Sequence, residues 1–336
     1  MSTENDDEQQ NTLQQHAQLL NELPKAEACF MNSLHLYQGI WLYPDALLSV
    51  MLMQTRFKHQ STDIFLTSLI KSGTTWLRSL MFTTLNRSRF EFSEHPLLRK
   101  GPHDCFPVLD LYKPDNYASI DRDTDVLTPS PRLFATHFAY KLLPSSVTDP
   151  SSGCKFVYVC RDPKDMLVSL WHFMVKLRPK EQPLLSFEQV FRKFCEGVIE
   201  YGPYWDHVLG FWEASVNSPD KILFLKYEEL KRDPEVHVRK LAEFMGVPIS
   251  VQEEANGTAK KIADFCSFEH LRSLEVNKTG VHRSNNGALV ENQVFFRRGE
   301  VGDWKCHMTE EMKDEIDRIT HDKLKGSGLT LGATPK

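Results

Sequence analysis

The chain has 336 residues, 41% of them hydrophobic, enough to bury a large core and unlike any collagenous, coiled-coil or low-complexity sequence. Its formal net charge of −5 gives no general pull toward nucleic acid or anionic lipid, so an anion site has to be a local cluster of basic groups and its partner a small molecule. Seven cysteines at positions 29, 105, 154, 160, 195, 266 and 306 lack C-x-x-C spacing, which argues against a disulfide framework and a zinc site and points to reduced thiols in the cytoplasm.

Residues 1–20 are rich in Glu, Asp, Gln and Asn, with no apolar period before Leu19 and Leu20. Such a stretch predicts a disordered tail ahead of one globular domain over 21–336. No basic-then-apolar leader opens the chain and no run of 18 apolar residues occurs, so neither secretion nor membrane insertion is expected. Apolar runs at 63–70, 132–136, 154–160 and 221–226 read as strands buried on both faces. Helical patterns cover 74–86, 163–175, 187–200, 203–216, 234–245, 267–275 and 309–324. Strands alternating with helices predict an α/β fold, a single domain with a central, mostly parallel sheet flanked by helices. Long loops at 87–130, 176–186 and 276–303 are expected to cover the strand ends as lids or binding walls.

The chemistry gathers in four places. In Asp63-Ile-Phe-Leu-Thr-Ser-Leu-Ile-Lys71-Ser-Gly-Thr-Thr-Trp-Leu-Arg78 a buried strand runs through a short turn into a helix, a P-loop-like arrangement. The first free N–H groups and the positive end of the helix dipole converge there, and Lys71, Ser72, Thr74 and Thr75 add donors. A phosphate or sulfate ester suits such a cradle, although a Lys-Ser-Gly-Thr string also occurs as a solvated turn. It is not a Walker A loop, because its lysine precedes a single glycine. In Val157-Tyr-Val-Cys-Arg161-Asp-Pro-Lys-Asp-Met-Leu-Val-Ser169 a second strand feeds a helix that opens on Pro163. Arg161 there offers a bidentate grip on an anion, with Ser169 two turns on, or else pairs with Asp162 or Asp165. The glycine-rich Phe295-Phe-Arg297-Arg298-Gly299-Glu-Val-Gly-Asp-Trp304 suits a flap folding over an anion, or a solvated basic turn. Finally His137 ends the strand Phe134-Ala-Thr-His137 at the carboxyl edge, where open α/β sheets keep their ligands; a structural histidine is the other reading.

With Leu36-Tyr-Gln-Gly-Ile-Trp41, Gly202-Pro-Tyr-Trp-Asp-His-Val-Leu-Gly-Phe-Trp212 and Cys266-Ser-Phe-Glu-His-Leu271, these motifs in order make the chain resemble the cytosolic sulfotransferases over about 300 residues, and their plant branch in particular. The resemblance implies transfer of a sulfonate from 3'-phosphoadenosine 5'-phosphosulfate (PAPS) to a hydroxyl or related oxygen of a small acceptor. It implies a phosphosulfate-binding loop over Lys71, Ser72, Gly73, Thr74, Thr75 and Trp76, with Lys71 stabilising the departing oxygen. The family's 3'-phosphate site falls on Arg161, Ser169, Arg297, Arg298 and Gly299, and its adenine pocket on Trp76, Tyr227, Cys266 and Phe268. Its general base falls on His137, whose ordinary pKa suits proton removal near neutrality. No acidic pair stands at metal-ligand positions beside Lys71 or His137, so no metal is expected.

Three features depart from the family. Ile70 stands where a proline usually precedes the lysine, and Ala135 where many animal members, unlike plant ones, carry lysine. The animal dimer motif Lys-x-x-x-Thr-Val-x-x-x-Glu survives here only as Lys305 and Thr309, with Glu310 and Asp314 at its last positions, so a monomer or weak dimer is expected. Tyr37, Trp41, Phe106, Tyr112, Phe138, Tyr140, His172 and Phe173 are candidate acceptor-pocket walls, or core. Flavonoids, steroids, jasmonate-type hydroxy acids and desulfoglucosinolates all stay open as acceptors. The rival readings are a kinase, which lacks its glycine-rich loop and acidic Mg²⁺ ligands, and a nucleotide-binding homologue without activity.

Overall fold

The computed structural model describes residues 2–29, 33–120, 128, 130–178, 185–284 and 287–332. Parts of the three predicted loops, at 121–127, 129, 179–184 and 285–286, lie outside the described residues. Nine strands are present among those described: β1 (Lys25–Ala26), β2 (Leu34–Tyr37), β3 (Ile40–Leu42), β4 (Ile64–Thr67), β5 (Leu133–Thr136), β6 (Lys155–Cys160), β7 (Ile222–Lys226), β8 (Val281–Arg283) and β9 (Leu289–Glu291). The central sheet has the order β5-β4-β6-β7 and every pairing in it is parallel. A small antiparallel sheet β1-β2-β3 and the hairpin β8-β9 stand apart from it.

All four central strands appear where their apolar runs predict them, because each is covered on both faces. Phe65, Phe134, Phe156, Tyr158 and Ile222 point into one buried cluster, while Ile64, Leu66, Leu133, Val157, Val159 and Leu225 point into another. That alternation is the period-2 geometry of a strand with apolar cover on each side. Across the first face Phe65 stacks between Phe134 and Phe156, with ring centroids 5.4 and 5.2 Å away. At the amino edge the buried Arg132 guanidinium grips Asp63 through two hydrogen bonds of 2.8 and 2.7 Å.

The register fixes where chemistry can occur. Thr67 pairs with both Thr136 and Tyr158, and Cys160 pairs with Lys226. Lys71, His137, Arg161 and Tyr227 therefore all leave the sheet at its carboxyl edge, though they come from chain segments far apart.

Several elements differ from the sequence-based expectation. Ser2–Glu22 forms a helix where composition predicts a tail. Its glutamate- and glutamine-rich residues are tolerated in a helix, Leu19 and Leu20 pack against the core, and His16 Nε2 lies 2.8 Å from the Pro44 carbonyl. The helix Pro44–Arg56 has no predicted counterpart, because Ala46 through Met53 are all buried and such a helix shows no amphipathic period. The helix predicted over 187–200 stops at Cys195, ahead of Gly197 in the left-handed region at φ +80°. The loop 87–130 contains the 3₁₀ turns Pro96–Leu98, Pro102–Asp104, Leu109–Leu111 and Tyr117–Ser119.

Candidate active site

At the end of β4 the chain turns through Lys71 in the left-handed region (φ +68°), unusual for a residue with a Cβ, and Gly73 at φ +116° caps the helix Thr74–Asn86. The first intrahelical bond runs from Leu77 N–H to the Gly73 carbonyl at 3.1 Å, so the N–H groups of Thr74, Thr75 and Trp76 have no helical acceptor. Ser68 Oγ and Thr74 Oγ1, 2.7 Å apart, tie strand end to helix start. A Cβ on Gly73 would lie 2.7 Å from the Tyr227 ring, so only glycine lets the turn approach that wall.

At the end of β6, Asp162 caps the helix Pro163–Leu177 by accepting from the Lys164 N–H at 2.8 Å. Arg161 is buried there, its guanidinium 4.5 Å from the Tyr227 ring and donating to the Glu300 carbonyl at 2.7 Å. Asp165, one of the two carboxylates weighed as its partner, is 4.0 Å away; it accepts at shorter range from the N–H groups of Gly302 (2.7 Å) and Trp304 (3.0 Å). Those bonds pin the flap that carries Arg297, Arg298 and Gly299. Asp303 holds both flap arginines, bonding Arg297 and accepting from Arg298 Nη1 at 2.7 Å. Gly299 sits at φ +67° with its α-carbon against Phe268, where a Cβ would meet the ring at 2.7 Å.

These pieces line one cleft. Every predicted nucleotide residue lines it except Ser72 and Cys266. Ser72 is buried beneath the turn, and Cys266 is turned away, its thiol 3.3 Å from Thr83 Oγ1 in the core. The cleft carries Lys71, Arg161, Lys176, Lys231, Arg297 and Arg298, and no carboxylate among the described residues lines it. Burial first, then the repulsion of Arg161, Arg297 and Lys176, pushes the Lys71 ammonium down to about 7. In this state Lys71 Nζ rests 3.7 Å from the centre of the Phe173 ring.

His137 lines the same cleft from β5. Its Nδ1 is 2.8 Å from the Ser68 carbonyl, an acceptor only, so Nδ1 carries a proton and in the neutral ring the lone pair falls to Nε2. The backbone is held as firmly: His137 N–H donates to the buried Asp110 carboxylate at 2.9 Å, and His207 Nε2 donates to the His137 carbonyl at 3.0 Å. Burial drives His207 down to about 4, leaving it neutral, and its Nδ1 accepts from the Tyr158 hydroxyl at 2.9 Å. Asp110 also accepts from Thr136 Oγ1 at 2.5 Å. Desolvation pushes its carboxyl up, and the nearby His137 charge and these hydrogen bonds oppose that rise.

Of the candidate acceptor walls, His172 and Phe173 line the cleft; Phe106, Tyr112 and Phe138 are core. Tyr37, Trp41 and Tyr140 are not part of its lining. Sequence reasoning passes over Lys176, Lys231, His103, Val294 and Phe296, which do line it, and over Asp110 and His207 behind it. A histidine or carboxylate inside an aperiodic loop such as 87–130 carries no local signal of where it points. His207, inside the Gly202–Trp212 motif, could have been singled out, but a helical histidine reads equally as core.

Comparison with known proteins agrees with this geometry. Residues 61–328 match the family model of the sulfotransferase domain. The chain is 42% identical to flavonol 3-sulfotransferase of Flaveria bidentis, covering 93% of this chain and 99% of that protein. It is 43% identical to cytosolic sulfotransferase 5 of Arabidopsis thaliana over 93% and 94% of the two chains. A mouse sulfotransferase crystallised with PAP superimposes with a TM-score of 0.66 at 27% identity, covering 88% of this chain and 95% of that one. The chain therefore belongs to the sulfotransferase family, and it is an enzyme that transfers a sulfonate group to small-molecule acceptors.

Proposed function

We propose that this enzyme takes its sulfonate from PAPS and delivers it to a hydroxyl of a small acceptor, with His137 as general base and no metal ion. The observation that carries the reading is the gathering of six cationic side chains, with no carboxylate among the described lining residues, in one cleft at the carboxyl edge that His137 also lines. The residues fit the nucleotide. Buried polar atoms of Trp76 (Nε1), Arg161 (Nε) and Arg297 (Nε) have no hydrogen-bond partner among the described residues, and the bare α-carbons of Gly73 and Gly299 let the Tyr227 and Phe268 rings close against the turn and the flap. When bound, PAPS supplies the activated sulfonate.

The chain's own residues do the rest. The turn Lys71–Trp76 offers backbone and hydroxyl donors to the 5' end, while Arg161, Ser169, Arg297, Arg298 and Gly299 face the 3'-phosphate. Tyr227 and Phe268 supply rings for the adenine beside Trp76. His137 Nε2 accepts the acceptor's hydroxyl proton, and the Ser68 bond at Nδ1 stabilises the imidazolium that results. Lys71, a cation once an anion lies beside it, stabilises the oxygen that gains charge. Lysine and arginine thus do what Mg²⁺ does in phosphoryl transfer. The cytoplasm is the proposed site of action, in keeping with relatives named cytosolic sulfotransferases. A monomer or weak dimer is proposed from the incomplete dimer motif.

The test is transfer of labelled sulfonate from PAPS to a panel of flavonols, steroids, hydroxy acids and desulfoglucosinolates in excess EDTA. Turnover of at least one acceptor is expected. No transfer with any of them, or transfer only after Mg²⁺ is restored, overturns the reading.

A further inference from the structure

His103 belongs to no motif, yet it touches both halves of the nucleotide cleft. It sits on the 3₁₀ turn Pro102–Asp104, in the middle of the long loop between the anion turn and β5. Its Nε2 is 2.9 Å from Thr75 Oγ1, on the first turn of the anion-binding helix. Its ring stacks on Phe295 with centroids 3.9 Å apart and planes 25° from parallel, and Phe295 belongs to the flap that carries Arg297 and Arg298. The His282 ring, also on the flap side, lies 5.5 Å away and is held by Asp104 Oδ1 at 2.7 Å from its Nδ1. Below, the buried Arg78 donates to the His103 carbonyl at 2.9 Å and to the Pro102 carbonyl at 3.0 Å, so the turn cannot shift freely.

A threonine hydroxyl has one proton. If the imidazole accepts it, Thr75 presents only lone pairs to the cleft and repels an anion; if the imidazole donates through Nε2–H, the Thr75 proton is left for the ligand. We propose that His103 is a positioning residue, donating Nε2–H to Thr75 so that the Thr75 hydroxyl turns its own proton toward a bound phosphate or sulfate, while the Phe295 stack couples this orientation to flap closure. Burial, with Arg78, His282, Lys71 and His137 around it, keeps the ring neutral through the physiological range, so it has one N–H to commit. This rests on the nucleotide reading of the cleft.

The test measures binding of 3'-phosphoadenosine 5'-phosphate by calorimetry to the wild type, His103→Phe, His103→Gln, Thr75→Val and the double variant His103→Phe/Thr75→Val. Phenylalanine keeps the stack and loses the donor; the glutamine amide restores a donor near Nε2. The expected result is a 5- to 20-fold loss for His103→Phe, roughly the range of one lost hydrogen bond, and recovery in His103→Gln. The double variant should bind about as weakly as Thr75→Val alone. The ¹⁵N spectrum of the wild type should show the His103 ring neutral with its proton on Nε2. An unchanged affinity in His103→Phe, fully additive losses, or a proton on Nδ1 overturns the proposal. A wild type that binds no nucleotide overturns instead the reading of the cleft.

Discussion

His137 is held so that one ring nitrogen, Nε2, is kept for the substrate. The Ser68 carbonyl demands a proton on Nδ1, the Asp110 carboxylate and His207 fix the backbone on both sides, and Nε2 alone is left to accept. Replacing it by alanine removes the acceptor for the substrate proton and leaves the anion-binding groups in place. For His137→Ala we expect a fall in kcat of about 10²- to 10⁴-fold, the usual worth of a general base, with the dissociation constant of 3'-phosphoadenosine 5'-phosphate within about twofold of wild type, well under one hydrogen bond's worth. Near-normal turnover would remove the assigned base. Lys71 gives a second prediction. Its pKa is about 7 in the free protein, against an ordinary 10.5, and an anion beside it raises the value again. Between about 7 and that higher value, binding takes up a proton and affinity falls as pH rises. Calorimetry at pH 8 in buffers of different ionisation enthalpy should therefore register proton uptake in the wild type and little in Lys71→Met. The same shift acts on folding: the unfolded chain keeps this proton to higher pH than the folded one, so the Lys71 contribution to stability improves as pH climbs from about 7 toward 10.5.

The elements that meet at the cleft are joined by few but buried contacts, and Asp165 is the most exposed to test. Both of its oxygens accept flap N–H groups, from Gly302 and Trp304, and the side chain has no solvent access. Asparagine in its place must aim an NH₂ at one of those donors. Asp165→Asn should cost about 1–3 kcal/mol of stability, the penalty of an unsatisfied buried donor. It should also weaken nucleotide binding by roughly an order of magnitude, because the flap arginines lose their anchor, about 1.4 kcal/mol in binding terms. Denaturant titration and calorimetry check the two; intact affinity would mean that other contacts, such as Arg161 on the Glu300 carbonyl and His103 on Phe295, are enough to hold the flap. At this scale much of the architecture is legible in the chain. The four central strands are apolar on both faces, and each motif that follows a strand had to emerge at one edge once the strands were parallel. The helix Pro44–Arg56 is hidden because burial on all sides removes its period, and the helix Ser2–Glu22 because contacts of Leu19 and Leu20, rather than composition, decide it. Cys266 has the right neighbours in sequence yet turns toward Thr83, a rotamer that only packing determines.

For the molecule as a whole, the sheet carries the site, so its register has to be secure. The Asp63–Arg132 pair locks the amino ends of β4 and β5, with side chains 0% and 2% exposed. Removing Asp63 takes the carboxylate and both of its hydrogen bonds from a buried guanidinium, and Asp63→Ala should cost about 3–5 kcal/mol, lowering the denaturation midpoint without altering chemistry in the protein that remains folded. A loss below 1 kcal/mol, under the low end of that range, would mean water reaches Arg132 when its partner is gone. Charge distribution is the other global feature. A chain of formal charge −5 concentrates six cationic side chains in one cleft that has no described carboxylate, and this contrast ties fold to function. The local motifs reveal most of those cations; Lys176 and Lys231 become visible only when helix ends are placed around the sheet. A crystal structure of the complex with 3'-phosphoadenosine 5'-phosphate tests this most directly. The 5'-phosphate is predicted on the N–H groups of the Lys71–Trp76 turn and the 3'-phosphate between Arg161, Ser169 and the flap arginines, with His137 Nε2 facing the open end beyond Lys71. A nucleotide bound outside this cleft, or reversed within it, would contradict the account.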